Sequence, residues 1–427
     1  MNLTRRNLLL ATGSLPLARF AEADSTEAYT TLADSSLTDT AASPSGIRTA
    51  LPFKQGFNTS HGTYLDSGSQ HPLSHGALAQ AHHYLAQRAR DPEAAGFDRN
   101  EKGVMSKYAQ LVNADVDELS FVQSTTAAEQ MFLRALDIPE IGGHIVSDTL
   151  HFFGSLPLYE EMARKGMKVT WVRDRDGRIP LEDMKKAITP GTRLVSLSLV
   201  STVNGFQHDL KAVCDMAHEA GALVYADIIH AAGCVPLDLH ASGVDFAAGA
   251  SYKWLMGEFG LGFLYVHKDV QSRLKRSNYG YFGMGAFQSH IYPYDPPGDT
   301  VATYAFQENA TGQFALGTHA HTPIAILDHS LDYILGIGVE NIQGHAQTLI
   351  TRLKQELPER GFRLMTPIEC TTPMVACALE DARGKLGQKL KDANIRISLS
   401  KNRFRISTSV FNDMADIERF LEVLGTG

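Results

Sequence analysis

The chain has 427 residues, 44% of them hydrophobic and 20% charged, the balance of a globular protein long enough for more than one domain. Its formal charge of −8 gives no electrostatic basis for binding nucleic acid. Four cysteines, Cys214, Cys234, Cys370 and Cys377, show neither C-x-x-C nor zinc spacing and read as buried thiols.

At the N-terminus, Thr4-Arg5-Arg6-Asn7-Leu8-Leu9-Leu10, a modest apolar stretch and Ala21-Glu22-Ala23 resemble a twin-arginine export signal with an A-x-A cleavage site. The expectation is a leader over residues 1–23, recognised by the twin-arginine export machinery, and a periplasmic mature chain with no membrane span. Residues 24–50, rich in Ser, Thr, Ala and Asp, read as a disordered linker. Order is expected to begin near Phe53. Tyr64-Leu65-Asp66-Ser67-Gly68-Ser69 reads as a short strand and turn, and residues 75–112 as helical, interrupted at Asp91-Pro92 and Gly96.

Phe121-Val122-Gln123-Ser124-Thr125-Thr126 passes from an apolar run into three hydroxyls that open a helix carrying Met131, Phe132, Leu133 and Leu136. Hydroxyls and free N–H groups at a helix start make an anion site, and a plain N-cap is the bland alternative. Short runs at 145–147, 168–172 and 193–200, with a helical segment at 181–188, alternate as strands and crossover helices do in a parallel α/β sheet.

The run 223–226 is too short for a helix and ends on Asp227, so it reads as a buried strand delivering a carboxylate at its C-terminal edge, where open α/β sheets bind ligands. A second run, 245–250, leads to Ser251-Tyr252-Lys253-Trp254 and a strand at 260–266. Lys253 lies among Ala, Tyr, Trp and Leu, a setting that favours its neutral, nucleophilic form. An acid and such a lysine on neighbouring strand ends suit pyridoxal 5′-phosphate (PLP): the lysine binds it covalently and the acid keeps its ring nitrogen protonated.

Here the chain resembles the class V aminotransferases of PLP fold type I, the group of cysteine desulfurases, kynureninase and isopenicillin N epimerase. The family's D-x-x-[QH]-x-x-G is present as Asp227, His230 and Gly233, and its S-x-K-W-x-x-G-x-x-G-x-G-x-L-Y run as Ser251 to Tyr265. The resemblance implies a fold type I PLP-dependent transferase. Its parts would be a mostly parallel seven-stranded sheet flanked by helices, in a large domain over 51–325, and a smaller α+β C-terminal domain over 326–427.

Residue by residue, the resemblance implies that Ser124, Thr125 and Thr126 hold the cofactor phosphate, with Ser124 replacing the relatives' glycine. His151, or Phe152 beside it, would stack on the ring, while Thr202 and His230 would approach the 3′-oxygen; Asn204 is left unassigned. Ser251 and Tyr252 flank Lys253, with the tyrosine reaching the phosphate. Phe314-Ala315-Leu316-Gly317-Thr318 matches F-x-x-G-T, so Gly317 and Thr318 would serve a neighbouring subunit's cofactor in a homodimer with a shared site. Arg405, within Arg403-Phe404-Arg405-Ile406-Ser407, would grip the substrate α-carboxylate, and Arg403 reads as a solvated strand residue.

Residues 279–297, crowded with Gly, Pro and aromatics, read as a substrate lid or a structural loop, and 323–335 as a long helix. His319 and His321, without a third ligand, do not make a metal site. Desulfurases need a nucleophilic cysteine shortly before the carboxylate arginine, and residues 380–404 contain none. The expected activity is therefore transamination or a related Cα proton transfer on an amino acid or peptide-linked amino acid. Epimerisation and β/γ-elimination are the alternatives within the family, and a non-catalytic periplasmic binding protein the alternative outside it. An exported member is similar to the periplasmic PLP enzymes that tailor pyoverdine siderophore side chains.

Overall fold

The computed structural model describes residues 50–59, 62–91 and 100–425. The leader at 1–23, the linker up to residue 49 and the expected interruption at Pro92 and Gly96 lie outside the described residues.

Seven short runs form the central sheet: β1 (Leu119–Val122), β2 (His144–Asp148), β3 (Lys168–Val172), β4 (Thr192–Ser198), β5 (Leu223–Asp227), β6 (Phe246–Ala250) and β7 (Gly262–Val266). They lie in the order β1-β7-β6-β5-β4-β2-β3. From β3 to β6 all pairings are parallel, and within this sheet only β7 runs against its neighbours β6 and β1. Every residue of β5 and β6 is buried. Covered on both faces, such strands have no need of the polar alternation that a half-wet sheet shows.

Successive side chains nevertheless go to different helices. Leu223 and Tyr225 of β5, with Phe246 and Ala248 of β6, join Ala128, Met131 and Phe132 of the helix Thr125–Ala135. Val224, Ala226, Ala247 and Phe263 share the opposite core with Tyr108 of Glu101–Val112, Val213 of Leu210–Glu219 and Leu327 of His321–Ile337. Each large apolar side chain taken from water in this way contributes about 1.5–3 kcal/mol before chain entropy is charged against it.

The C-terminal part carries its own core around Leu353, Phe404 and Phe420. A four-stranded sheet there pairs Met374–Ala378 with Arg403–Ser407 in antiparallel register, setting Ala376 opposite Arg405. Thr63–Tyr64 pairs in parallel with Ile395–Arg396, and Leu65 belongs to the same C-terminal core. No helix among the described residues is long and apolar enough to cross a membrane.

The stretch 279–297, expected as a lid or loop, is instead partly regular. Met284–Ser289 pairs with Ala302–Phe306 in an antiparallel ribbon that sets Phe287 opposite Tyr304. A directly opposed aromatic pair is the kind of contact that stabilises a two-stranded ribbon. Both rings are exposed.

Phe263 lies flat on Tyr108, with ring centroids 3.6 Å apart and planes within 4°. This stack fastens the antiparallel strand β7 to the helix Glu101–Val112. Phe263→Ala is expected to destabilise the protein by about 3–5 kcal/mol, read as a lower urea midpoint; an unchanged midpoint would show that the stack adds nothing.

Candidate active site

The functional side chains collect at the C-terminal edge of the parallel strands. Asp227 is the last residue of β5, and Ser198, its register partner, is the last of β4. Lys253 follows β6 in a tight turn. The loop after β5 and this turn touch at Gly233, whose φ is +92° and whose missing Cβ would sit 2.5 Å from the Trp254 carbonyl oxygen. The glycine of the D-x-x-H-x-x-G spacing is therefore required both by its backbone angle and by the closeness of the lysine turn.

His230 joins these two segments. Its Nε2 is 2.9 Å from Lys253 Nζ, and the Trp254 indole N–H donates to its Nδ1 at 3.3 Å. An indole N–H can only donate, so Nδ1 must be the acceptor nitrogen. Burial, reinforced by the positive fields of Lys253 and Arg405, holds the His230 pKa well below its ordinary range. A neutral imidazole accepting at Nδ1 carries its hydrogen on Nε2, so Nε2–H faces Nζ and favours loss of the lysine proton, after which the amine lone pair accepts it. The lysine's own environment agrees: burial brings its pKa from 10.5 down to about 8, with Arg405 adding to the fall and Asp227 and Asp66 opposing it.

Asp227 is buried, and its Oδ1 accepts the Ile229 N–H at 3.0 Å. Burial raises its pKa, while the Ile229 hydrogen bond and the charges of His151 and Lys253 pull it back. Asp227 and Lys253 thus face the same interior, each within the field of the other.

Arg405 is also buried. Its Nη1 donates to Thr202 Oγ1 at 2.7 Å and to the Thr202 carbonyl at 2.9 Å, and its Nη2 to Ser69 Oγ at 3.0 Å. Asp66 lies 3.7 Å away, an ion pair and not a hydrogen bond. Burial lowers the guanidinium pKa to about 10, with Asp66 working against the fall. Its Nε–H has no partner among the described residues. A buried guanidinium clasped at both ends with one donor unused is set up to receive an anionic oxygen.

Several expected contacts are placed differently. Thr202, expected at a cofactor oxygen, has its hydroxyl oxygen engaged by Arg405. Ser251 Oγ donates to the Glu258 carbonyl at 2.6 Å and braces the lysine loop. Asn204 ties Gly177 and Met365 together through its side-chain amide. Arg403 is half-buried, not solvated, and donates to the Val203 carbonyl. The side chain of His151 has no exposure, and its ring nitrogens face Ser196 and Ser198; Phe152 beside it is the ring with open surface.

Ser124 caps the helix Thr125–Ala135 by accepting the Ala127 N–H at 3.2 Å, and Thr125 Oγ1 accepts the Ala250 N–H at 3.1 Å. These bonds tie the helix start to the end of β6, while the exposed Thr126 stays at the opening turn. Tyr252 is half-buried and stacks on Phe259 at 4.4 Å. Thr318 is exposed and its Oγ1 is 2.5 Å from the Tyr281 hydroxyl, and Gly317 lies beside the same tyrosine ring. His319 and His321 share a carboxylate, at 3.5 Å and 3.0 Å from Glu101.

Residues not picked out from sequence complete the site. Ser69 holds Arg405. Ser196 and Ser198 alternate with apolar residues at the end of β4, a pattern visible in the sequence, and both meet His151. Glu129 is a buried carboxylate on the inward side of its helix.

A mostly parallel sheet that presents a free-base lysine and a buried acid at its C-terminal edge defines a fold type I PLP-dependent enzyme. The family model described as aminotransferase class-V matches residues 63–420. The chain belongs to this family, and PLP is its cofactor. Among curated relatives, an uncharacterized aminotransferase, YcbU, of Bacillus subtilis is 24% identical over 77% of this chain and 83% of its own. Kynureninase of Pseudomonas fluorescens is 26% identical over 74% and 77% respectively. In structure, the cysteine desulfurase CsdA of Escherichia coli superposes with a TM-score of 0.75 at 20% identity, covering 87% of this chain and 96% of the other.

The residues present fit the cofactor. Asp227 is aimed from a strand end, His230 offers an Nε2–H, and the helix start at Ser124 offers free N–H groups. Because the amine becomes nucleophilic on losing its proton, reductive modification of Lys253 by a small aldehyde is expected to rise through about pH 8 and then level off. Peptide mapping after reduction measures it, and a rate still climbing toward the ordinary value of 10.5 would contradict the free-base assignment.

Proposed function

We propose that this protein carries out transamination, or a closely related Cα proton transfer, on the amino group of an amino acid or a peptide-linked amino acid. The observation that carries the reading is the joint placement of Lys253, its pKa lowered to about 8, and the guanidinium of Arg405 with its Nε–H unused, the lysine lying within the arginine's field. PLP, when bound, supplies a sink for negative charge left at the substrate Cα.

The chain's own groups then have separable tasks. Asp227 would hold the ring nitrogen, the helix start at Ser124, Thr125 and Thr126 would receive the phosphate, and His230 would donate toward the phenolic oxygen. Lys253 would anchor the cofactor and, as a free amine, would be the base placed to take the Cα proton. Arg405 binds the carboxylate, and Ser69 and Thr202 fix the plane of its guanidinium.

Sulfur transfer is disfavoured by the thiols. Cys214, Cys234 and Cys377 are buried, and burial drives the Cys377 pKa to about 12. Cys370 is partly exposed, but burial raises its pKa too, and its carbonyl is held by Lys354 at 2.5 Å. A thiol that stays protonated is a poor nucleophile.

Support for an exported enzyme, and with it for a siderophore side chain such as that of pyoverdine as substrate, comes from the Arg5-Arg6 leader pattern. The F-x-x-G-T match at Gly317 and Thr318 supports a homodimer in which each chain completes the other's site.

Incubating the PLP-loaded protein with a panel of amino acids and short peptides is expected to convert the cofactor to its amine form with a subset of them, and not in Lys253→Ala. Inverted or cleaved substrate without conversion would assign epimerisation or elimination instead, and no turnover at all would leave a binding protein. Arg405→Lys is expected to raise KM about 10²-fold for substrates with a free α-carboxylate, with a smaller effect on kcat. An equal loss for peptide-amide analogues would remove the carboxylate role. For the location, Arg5→Lys combined with Arg6→Lys should retain the protein in the cytoplasm of a bacterial host, as followed by cell fractionation; undiminished export would rule out the twin-arginine route.

A further inference from the structure

Glu129 is 1% exposed and lies on the sheet side of the helix Thr125–Ala135. Nothing in the cofactor chemistry calls for a carboxylate there, and an unpaired buried charge is costly. It is not unpaired. Ser155 Oγ donates to its Oε2 at 2.7 Å and the Tyr159 hydroxyl to its Oε1 at 2.8 Å, while His151 Nε2 lies 3.6 Å away. At that distance the histidine is an ion-pair partner and not a direct donor.

Hydrogen counting gives the network a direction. The Tyr159 hydroxyl lies within reach of both Glu129 and Ser196 Oγ, the latter at 2.7 Å, but has one hydrogen to give. A carboxylate only accepts, and a charge-assisted bond is the stronger, so the hydrogen goes to Glu129. Ser196 then donates to the tyrosine oxygen, and its own oxygen is left to accept from His151 Nε2 at 3.1 Å. On the far side of the ring, Ser198 Oγ receives the Phe152 N–H at 3.1 Å and lies 2.8 Å from His151 Nδ1. Both ring nitrogens can therefore donate at once.

We propose that Glu129 is a positioning residue which, through Tyr159 and Ser196, fixes a proton on His151 Nε2 and keeps that ring cationic beside the Asp227 carboxylate. Ser198, which holds His151 Nδ1, is the register partner of Asp227, so the ring sits at the strand end that carries the acid. The resulting order of charge is negative, positive, negative, running from the helix into the cofactor site. Its consequence is that the His151 charge pulls Asp227 toward its ionised form, the one that holds a protonated ring nitrogen, against burial and the more distant charge of Glu129.

The surrounding groups are consistent with this. Burial alone would discharge His151, but Glu129 first, then Asp148 and Asp227, more than offset it and raise its pKa. His208 faces Asp148 at 3.3 Å. Tyr159 and Tyr225 are driven far up by burial and remain neutral, so neither contributes a competing charge. Lys253 acts on Asp227 from the other side. The inference rests on the PLP assignment of Asp227 and Lys253 only for its purpose, not for the charge state.

The test is a histidine-labelled NMR titration of cofactor-free protein, with His151 assigned by His151→Gln. Glu129→Gln keeps the shape of the side chain and removes the charge; it is expected to lower the His151 midpoint by about one pH unit or more. Tyr159→Phe, which cuts the relay but leaves Glu129, should move it in the same direction. In the loaded protein Glu129→Gln should weaken PLP binding on the order of tenfold at pH values above the variant's own His151 midpoint, where that imidazole is neutral, and less below it, where it is cationic again. A His151 midpoint as in wild type in Glu129→Gln, or in Tyr159→Phe should the first variant not fold, would overturn the proposal. Because the titration is done without cofactor, it is independent of which reaction the enzyme performs.

Discussion

A single indole N–H organises the reactive end of this protein. Trp254 can only donate, so the nitrogen of His230 that faces it must accept, and the hydrogen of the neutral ring is forced onto the other side, toward Lys253. The lysine is thus met by a donor and not by a carboxylate, which would have held it charged. The nearby acids Asp227 and Asp66 act on it through the field alone, and burial prevails over them. Removing Trp254 would leave His230 free to present either tautomer, and the amine would lose the partner that selects its neutral form.

The sheet explains why these groups meet. The last residues of β4 and β5, Ser198 and Asp227, are register partners, and β6 runs two residues past Asp227's partner Ala248, so the loops that follow turn over the same edge. On the side of the sheet toward the helix Thr125–Ala135, polar groups replace apolar ones only near the end: Leu194 gives way to Ser196 and Ser198, and Leu223 and Tyr225 to Asp227. The apolar body supplies rigidity and a low dielectric, and the polar tips receive the full benefit of both. The arginine comes from elsewhere, from a strand of the C-terminal sheet.

Where chemistry and spacing are local, the structure brings the residues singled out from sequence together. Asp227, His230, Gly233 and Lys253 stand at fixed short offsets, and the three-dimensional reason for the glycine is the same closeness that brings His230 to the lysine. The reading from sequence was incomplete where a partner is distant in the chain. Thr202 was expected at the cofactor because nothing local shows that Arg405, 203 residues further on, takes its hydroxyl oxygen. Ser69 was passed over for the same reason, its guanidinium partner being 336 residues away. The ribbon around residue 287 was missed because its Gly and Pro content masked the facing aromatics. Glu129 left a fainter trace, a charged residue at an inward helical position, which acquires meaning only once Tyr159 and His151 are seen beside it.

The parallel pairing of Thr63–Tyr64 with Ile395–Arg396 has a temporal side. The ribosome makes one partner of this pair long before the other, and the same holds for the Gly68 N–H that bonds Ser407 Oγ, 339 residues apart. No nascent chain can therefore assemble the arginine clasp, however well its central sheet has formed, until Arg405 itself has been made. The clasp waits on contacts that span most of the described fold, whereas the central sheet is complete well before them.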